Sequence, residues 1–259
     1  MSTTTLNDLI AGSGVDQGAA SAMLLTIDTL GPAIQAGLGN VTLDDITTSE
    51  VLLYTELVDD SSSIRSSSNS QHVRDGHNLV LDALQATKQS ASVLTSCAYL
   101  NNGLLYPYVL LENAARMDKH NYNPMGGTPL FDQTAVMLTM VTAKMAEFEQ
   151  GGVAARAVST ILTDGGDTGS RFRESDIKRM VEGMLRTEQH IIAAIGIDDG
   201  YTDFRQVFGD MGIPDEWILT PGNTPSEIRT AFQVVSQSAV RASQTAGSFS
   251  QTAMGGFGA

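Results

Sequence analysis

The sequence has a single cysteine, Cys97, in 259 residues, so no disulfide can form within the chain. That excludes a small secreted fold stapled by disulfides and makes a reducing compartment, the cytoplasm, the expected location. Basic residues are scarce as well: 15 Lys and Arg stand against 29 Asp and Glu, a net charge of −14 at pH 7 with a pI near 4.5. A surface of that sign repels phosphate backbones and anionic lipid, which argues against nucleic acid and against a membrane as partners. No apolar run is long and clean enough to span a bilayer; the most apolar early stretch, residues 19–38, contains Asp28 and several glycines. Residues 1–7 carry no lysine or arginine ahead of an apolar core, so no secretory signal is expected. There is no G-x-x-x-x-G-K-[ST] segment, which removes a P-loop nucleotide hydrolase. His72 and His77 are five apart and miss the i, i+4 spacing of a helical zinc site, while His120 and His190 are isolated. None of the four is expected to hold a metal, and Cys97 reads as a small core residue.

What is present is a chain that is 42% hydrophobic, enough to bury a sizeable core in one large α/β domain. Residues 51–58 (VLLYTELV) form a near-continuous apolar run, as in a strand covered on both faces. Val73, His77, Val80, Leu81 and Leu84 follow on one helical stripe. Segments 91–100 and 104–111 read as two strands joined by the turn Asn101-Asn102-Gly103, an antiparallel edge on an otherwise parallel sheet. A long helix apolar on most sides is expected over 129–148, a strand over 155–163, and a helix through Ile177, Met180, Val181, Met184 and Leu185. Then come a strand over 190–197, a short helix around Phe204 and Phe208, a short strand at 217–219 and a closing helix over 225–241. Thr224 and Glu227 form a capping box at the start of that helix, with Pro225 at its first position.

Alternation of this kind predicts an α/β, doubly wound, mostly parallel sheet with one antiparallel edge strand and helices on both faces. Residues 50–241 make up this domain. Residues 1–49, with Met23, Ile27, Leu30 and Ile34 at helical spacing, read as an N-terminal helical extension that covers the domain or docks elsewhere. Residues 242–259, rich in Ser, Gly and Ala, read as a flexible tail.

Three fragments carry the chemistry. Asp59-Asp60-Ser61-Ser62-Ser63 follows the first strand, Gly126-Gly127-Thr128-Pro129 enters the long helix, and Thr163-Asp164-Gly165-Gly166 ends another strand. Ligands of doubly wound sheets bind outside the carboxyl ends of the strands, which is where these fragments fall. Asp59, Ser61, Ser63, Thr128 and Asp164 are hard oxygen donors of the kind Mg²⁺ prefers, with Mn²⁺ or Ca²⁺ as substitutes. Two carboxylates do not complete such a shell; waters or an outside carboxylate must. Aspartyl phosphoryl transfer is disfavoured, because the fragment lacks D-x-D and has no lysine nearby. The glycine-rich 165–169 reads as a flexible rim of the site, and Arg171 and Arg173 as a solvated edge beside it.

With D-x-S-x-S after the first strand, a Gly-Gly-Thr loop and a Thr-Asp-Gly loop in order, the chain resembles the von Willebrand factor A (vWA) domain with a complete metal-ion-dependent adhesion site (MIDAS). The resemblance covers residues 50–241. It implies a Rossmann-like vWA fold and a metal held by Asp59, Ser61, Ser63, Thr128 and Asp164. Ser61, Ser63 and Thr128 would contact the ion, and Asp59 and Asp164 would neutralise it directly or through water. It further implies a partner protein that supplies a Glu or Asp ligand, and no catalysis by the chain. The branch it looks most like is a bacterial cytoplasmic one related to tellurium-resistance vWA proteins. Such proteins act as adaptors beside MoxR-type AAA+ ATPases or kinase–phosphatase pairs. Two other readings stand beside this one: a structural subunit that assembles through its N-terminal segment and tail, the metal only ordering loops, and a metal-dependent hydrolase.

Overall fold

A computed structural model describes residues 5–244, 249 and 254–257 of the chain. Its centre is β1 (Glu50–Val58), buried at every position from Val51 onward because the run carries no outward polar face. Flanking it in parallel are β2 (Val93–Tyr99) on one side and β4 (Ala154–Thr163) on the other. β3 (Leu104–Leu110) closes one edge antiparallel to β2. β5 (His190–Gly196) and the two-residue β6 (Ile218–Leu219) extend the other edge in parallel, giving the order β3-β2-β1-β4-β5-β6. The hairpin between β2 and β3 turns at Gly103, whose φ of 73° lies in the left-handed region. Pro107 lies within β3, an edge strand where a missing N–H is tolerated, and the β2–β3 register shifts beside it, between Thr95 and Cys97.

Helices cover both faces. On one lie α1 (Leu6–Ala11), α2 (Gln17–Leu38), α5 (Leu130–Gln150) and α6 (Glu174–Leu185). On the other, α4 (Ser70–Gln85) runs along α8 (Pro225–Gln244). The short α3 (Ser62–Ser66) and α7 (Phe204–Asp210) follow β1 and β5. α5 is buried almost all round because α1 and α2 wrap its outer side; Ile10, Met23 and Ile34 belong to the continuous core. The N-terminal segment is therefore a layer of the domain. α2 bends where Leu30 leaves helical geometry (φ −130°, ψ 19°), two residues before Pro32, whose ring and missing N–H break the ladder.

The observed sheet, its single antiparallel edge and the helices on both faces are those expected from the sequence and from the resemblance to vWA domains. Element ends move by a few residues, and two expectations change at the C-terminus. α8 runs to Gln244, with the Thr224 hydroxyl donating to Glu227 Oε2 at 2.5 Å at its start. The tail is packed where it is described: the Phe249 ring lies 5.3 Å from the Arg156 guanidinium, Phe257 meets Trp217 edge-on at 5.2 Å, and Phe257 N donates to Glu216 O. Residues 245–248, 250–253, 258 and 259 lie outside the described residues.

The two helices of the second face meet at Gly76. A Cβ there would fall 2.2–2.4 Å from three atoms of the Phe232 ring of α8. On an exposed helix surface Gly→Ala stabilises by about 1 kcal/mol. At this contact the sign reverses: Gly76→Ala is expected to lower stability by about 1–3 kcal/mol, the usual cost of overpacking. Urea denaturation checks this, and a stabilised variant contradicts the packing described.

Candidate metal centre

The connections of the sheet part in opposite directions beside β1, whose neighbours β2 and β4 are reached from different sides. Such a switch point opens a crevice at the carboxyl ends of the strands. Asp59 is the first residue beyond β1, and its N–H donates to Leu162 O of β4, which carries the sheet pairing one step further. Its carboxylate is fully buried and spoken for on both oxygens. Oδ1 accepts Ser61 N (2.7 Å), and Oδ2 accepts Thr163 Oγ1 (2.6 Å) and Asp164 N (3.4 Å). Tyr122 fixes the backbone from below, its hydroxyl donating to Asp59 O at 2.5 Å.

From there the hydroxyls line up. Ser61 Oγ and Ser63 Oγ are 2.8 Å apart, and Ser63 Oγ donates to Asp164 Oδ1 at 2.5 Å. Thr128 joins them across Gly165: a Cβ at that glycine would sit 3.6 Å from Thr128 Oγ1 and 4.0 Å from Ser63 Oγ. All five residues singled out in the sequence are thus gathered at one point, from segments up to 105 residues apart in the chain.

Residues that the sequence did not single out hold these loops. Asp60, beside Asp59 in sequence, serves a different end. It is fully buried and its two oxygens accept the N–H groups and side-chain amides of Asn101 and Asn102, latching the β2–β3 turn to the site. Asn101 Nδ2 also donates to Gly127 O, and Met125 N to Asp60 O. The segment 165–169, expected to be a flexible rim, is a clasp. Thr168 N donates to Thr128 O (2.8 Å), Thr128 N donates to Thr168 Oγ1 (2.7 Å), and Asp167 Oδ1 accepts Phe131 N (3.0 Å) near the start of α5. No local pattern marks these contacts, since each joins residues about 40 apart. Arg171 and Arg173 are exposed, as expected for a solvated edge.

The electrostatics are unbalanced. Among the described residues no lysine or arginine forms an ion pair with Asp59 or Asp164. Burial pushes the Asp59 carboxyl up, against the pull of its hydrogen bonds from Ser61 and Thr163. Burial also raises Asp164, to about 6, and the charges of Asp59 and Asp199 add to the effect while Ser63 opposes it. Two carboxylates with three hydroxyls beside them and no lysine or arginine paired with them form a donor set that fits a small hard dication.

No protein-family model matches the sequence, and no curated protein is significantly similar to it in sequence. In structure the chain is similar to the pilus adhesin SpaC of Lactobacillus rhamnosus GG in its open conformation, with a TM-score of 0.55 and 15% identity over 76% of this chain and 31% of the adhesin. It is also similar to proximal thread matrix protein 1 of the mussel byssus, with a TM-score of 0.50 and 14% identity over 72% of this chain and 47% of that protein. The chain therefore spans about a third of the first protein and about half of the second. At these identities the likeness is one of fold.

The raised Asp164 carboxyl sets a pH test. Its folded pKa (about 6) lies above the ordinary value of 3.8, so the folded state keeps a proton that the unfolded chain gives up between those pH values. In the metal-free chain this group's penalty grows as pH rises through that window and is complete above it. Asp164→Asn is expected to stabilise the chain in EDTA by about 2 kcal/mol near pH 7.5 and by almost nothing near pH 4. Denaturant unfolding at both pH values checks this; an equal or lower stability at the higher pH contradicts it.

Proposed function

We propose that this chain is a vWA-type recognition module that binds an acidic side chain of a partner protein through a divalent cation at the carboxyl end of its sheet. The observation that carries the reading is the convergence of Asp59, Ser61, Ser63, Thr128 and Asp164 without a neutralising base. Ser61, Ser63 and Thr128 offer neutral hydroxyl oxygens, and Asp59 and Asp164 supply charge. Mg²⁺ is the metal we infer, with Mn²⁺ and Ca²⁺ accepted by the same oxygens. The chemistry such an ion supplies is a positive charge on the face of a protein of net charge −14. The chain's own residues do the positioning: the Asp60 latch and the Thr168 clasp fix the loops.

We infer recognition without catalysis. No histidine or lysine is among the hydrogen-bond partners of the five residues, and both carboxylates are assigned here to the ion. The partner we infer is a protein presenting Glu or Asp. The setting we infer is an adaptor role in a bacterial, cytoplasmic system beside a MoxR-type AAA+ ATPase or a kinase–phosphatase pair; that setting rests on the resemblance alone. No helix among the described residues is long and apolar enough to cross a membrane. The second reading is a structural subunit that assembles through its N-terminal segment and tail; α1 and α2 contribute side chains to the core, and Phe249 and Phe257 of the tail pack against Arg156 and Trp217.

Calorimetric titration with Mg²⁺ and Mn²⁺ tests the reading. One equivalent is expected to bind the wild-type chain. Thr128→Ala is expected to weaken binding about tenfold or more, in line with the loss of a group that orders a metal site. Thr134→Val, at a buried hydroxyl of α5 without a hydrogen-bond partner, is expected to leave affinity unchanged. No uptake by wild type, or equal losses in the two variants, removes the basis of the proposal.

A further inference from the structure

A second group of ligating side chains lies inside the domain, between the sheet and α4. Glu56 of β1, Cys97 of β2 and His77 of α4 are all buried, and one ligand atom from each lies within 4.8 Å of the other two. Glu56 and Cys97 are side-by-side partners in the parallel pairing of β1 and β2. A buried carboxylate needs a compensating charge. Glu56 Oε1 accepts the Tyr54 hydroxyl at 2.7 Å, and Oε2 is in contact with His77 Nδ1. The other ring nitrogen, Nε2, is 3.5 Å from Ala115 O, a group that can only accept. A neutral imidazole with its proton on Nε2 turns the Nδ1 lone pair toward the carboxylate. Two acceptors in contact require a cation between them, either a proton or a metal ion.

A proton accounts for Glu56 and His77 and leaves the thiol without a part. Burial and the Glu56 charge hold the Cys97 thiol well above its ordinary pKa, so the metal-free cluster keeps it protonated. A zinc-type ion engages all three groups, because thiolate, carboxylate and imidazole are its ordinary donors. With Glu56 and Cys97 both anionic and His77 neutral, a dication brings the cluster to zero net charge, the condition for burial in an apolar interior. Bonds of about 2.0–2.3 Å in a tetrahedral shell put ligand atoms about 3.5 Å apart, so the Glu56–His77 contact opens as the ion enters while the wider separations of the cluster, within 4.8 Å, close by about 1 Å. The carbonyl behind His77 and the hydroxyl behind Glu56 are the kind of outer contacts that orient metal ligands.

We propose that Glu56, His77 and Cys97 form a buried site for Zn²⁺ or a similar transition-metal ion, separate from the oxygen site at the sheet edge. A water molecule completes the shell, and the ion ties α4 to the two strands it covers. Because Cys97 is the chain's only cysteine, a thiolate–metal signal reports on this cluster alone.

The test is to produce the full chain in medium supplemented with Co²⁺ and record its absorption, with metal content by mass spectrometry. A thiolate-to-cobalt charge-transfer band in the near ultraviolet is expected in wild type and in Ser61→Ala/Ser63→Ala, which disables only the edge site. The band is expected to vanish in Cys97→Ser, with one equivalent of metal lost, and to shift or weaken in His77→Gln, with a smaller loss of metal. Wild type that folds in Co²⁺ without such a band overturns the proposal and leaves a proton-bridged Glu56–His77 pair. That readout needs no variant to fold, and a failure of the edge site to bind Mg²⁺ does not affect it.

Discussion

Two buried carboxylates, Asp59 and Asp164, are held side by side at the point where the sheet's connections diverge, with no lysine or arginine among the described residues paired to them. Burial disfavours the charged form of each, and the charge of Asp59 adds to the effect on Asp164. A fold with an acidic surplus gains nothing in stability from this arrangement, and simple substitution by neutral side chains would relieve it. The surrounding structure instead enforces it: Asp59 accepts three hydrogen bonds, and the serine pair bridges the two loops. An unfavourable electrostatic arrangement maintained by many contacts is what the proposed binding of a cation would explain.

The remaining architecture follows from the need to keep those loops in place. β1 is the central strand because its uninterrupted apolar run can be covered on both faces, and that position brings Asp59 against the end of β4. Asp60 points the other way and fastens the antiparallel hairpin, which in turn braces the Gly-Gly-Thr loop through Asn101. The clasp from 167 and 168 caps the beginning of α5, so the helix buried most deeply in the domain anchors the threonine loop. The five residues are thus carried by loops tied to strands and helices of the core, as the proposed recognition role requires.

Much of this was legible in the sequence, and the limits have physical reasons. Buried parallel strands announce themselves as apolar runs, and the oxygen donors of the edge site are short fragments placed just after strands or before a helix. Contacts that depend on the fold were invisible. Asp60 is one residue from Asp59 and chemically identical, yet only the positions of Asn101 and Asn102 give it a different task. Residues 167 and 168 look like a loose glycine-rich loop until their distant partners are in place. Glu56, His77 and Cys97 each sit alone on a different element, so a test for ligand spacing along one helix passes over them. The N-terminal helix showed its apolar stripe but not the face it covers, because the outer side of α5 is exposed as a partner only once α5 has folded onto the sheet.

Anomalous scattering from crystals of the chain equilibrated with Mn²⁺ addresses the central claim most directly, since it locates the ion without reference to any partner. One strong peak is predicted beyond the end of β1, in contact with the hydroxyls of Ser61 and Ser63 and close to Asp59, Thr128 and Asp164. A map with no peak there at saturating Mn²⁺, the loops being arranged as described, would contradict the account.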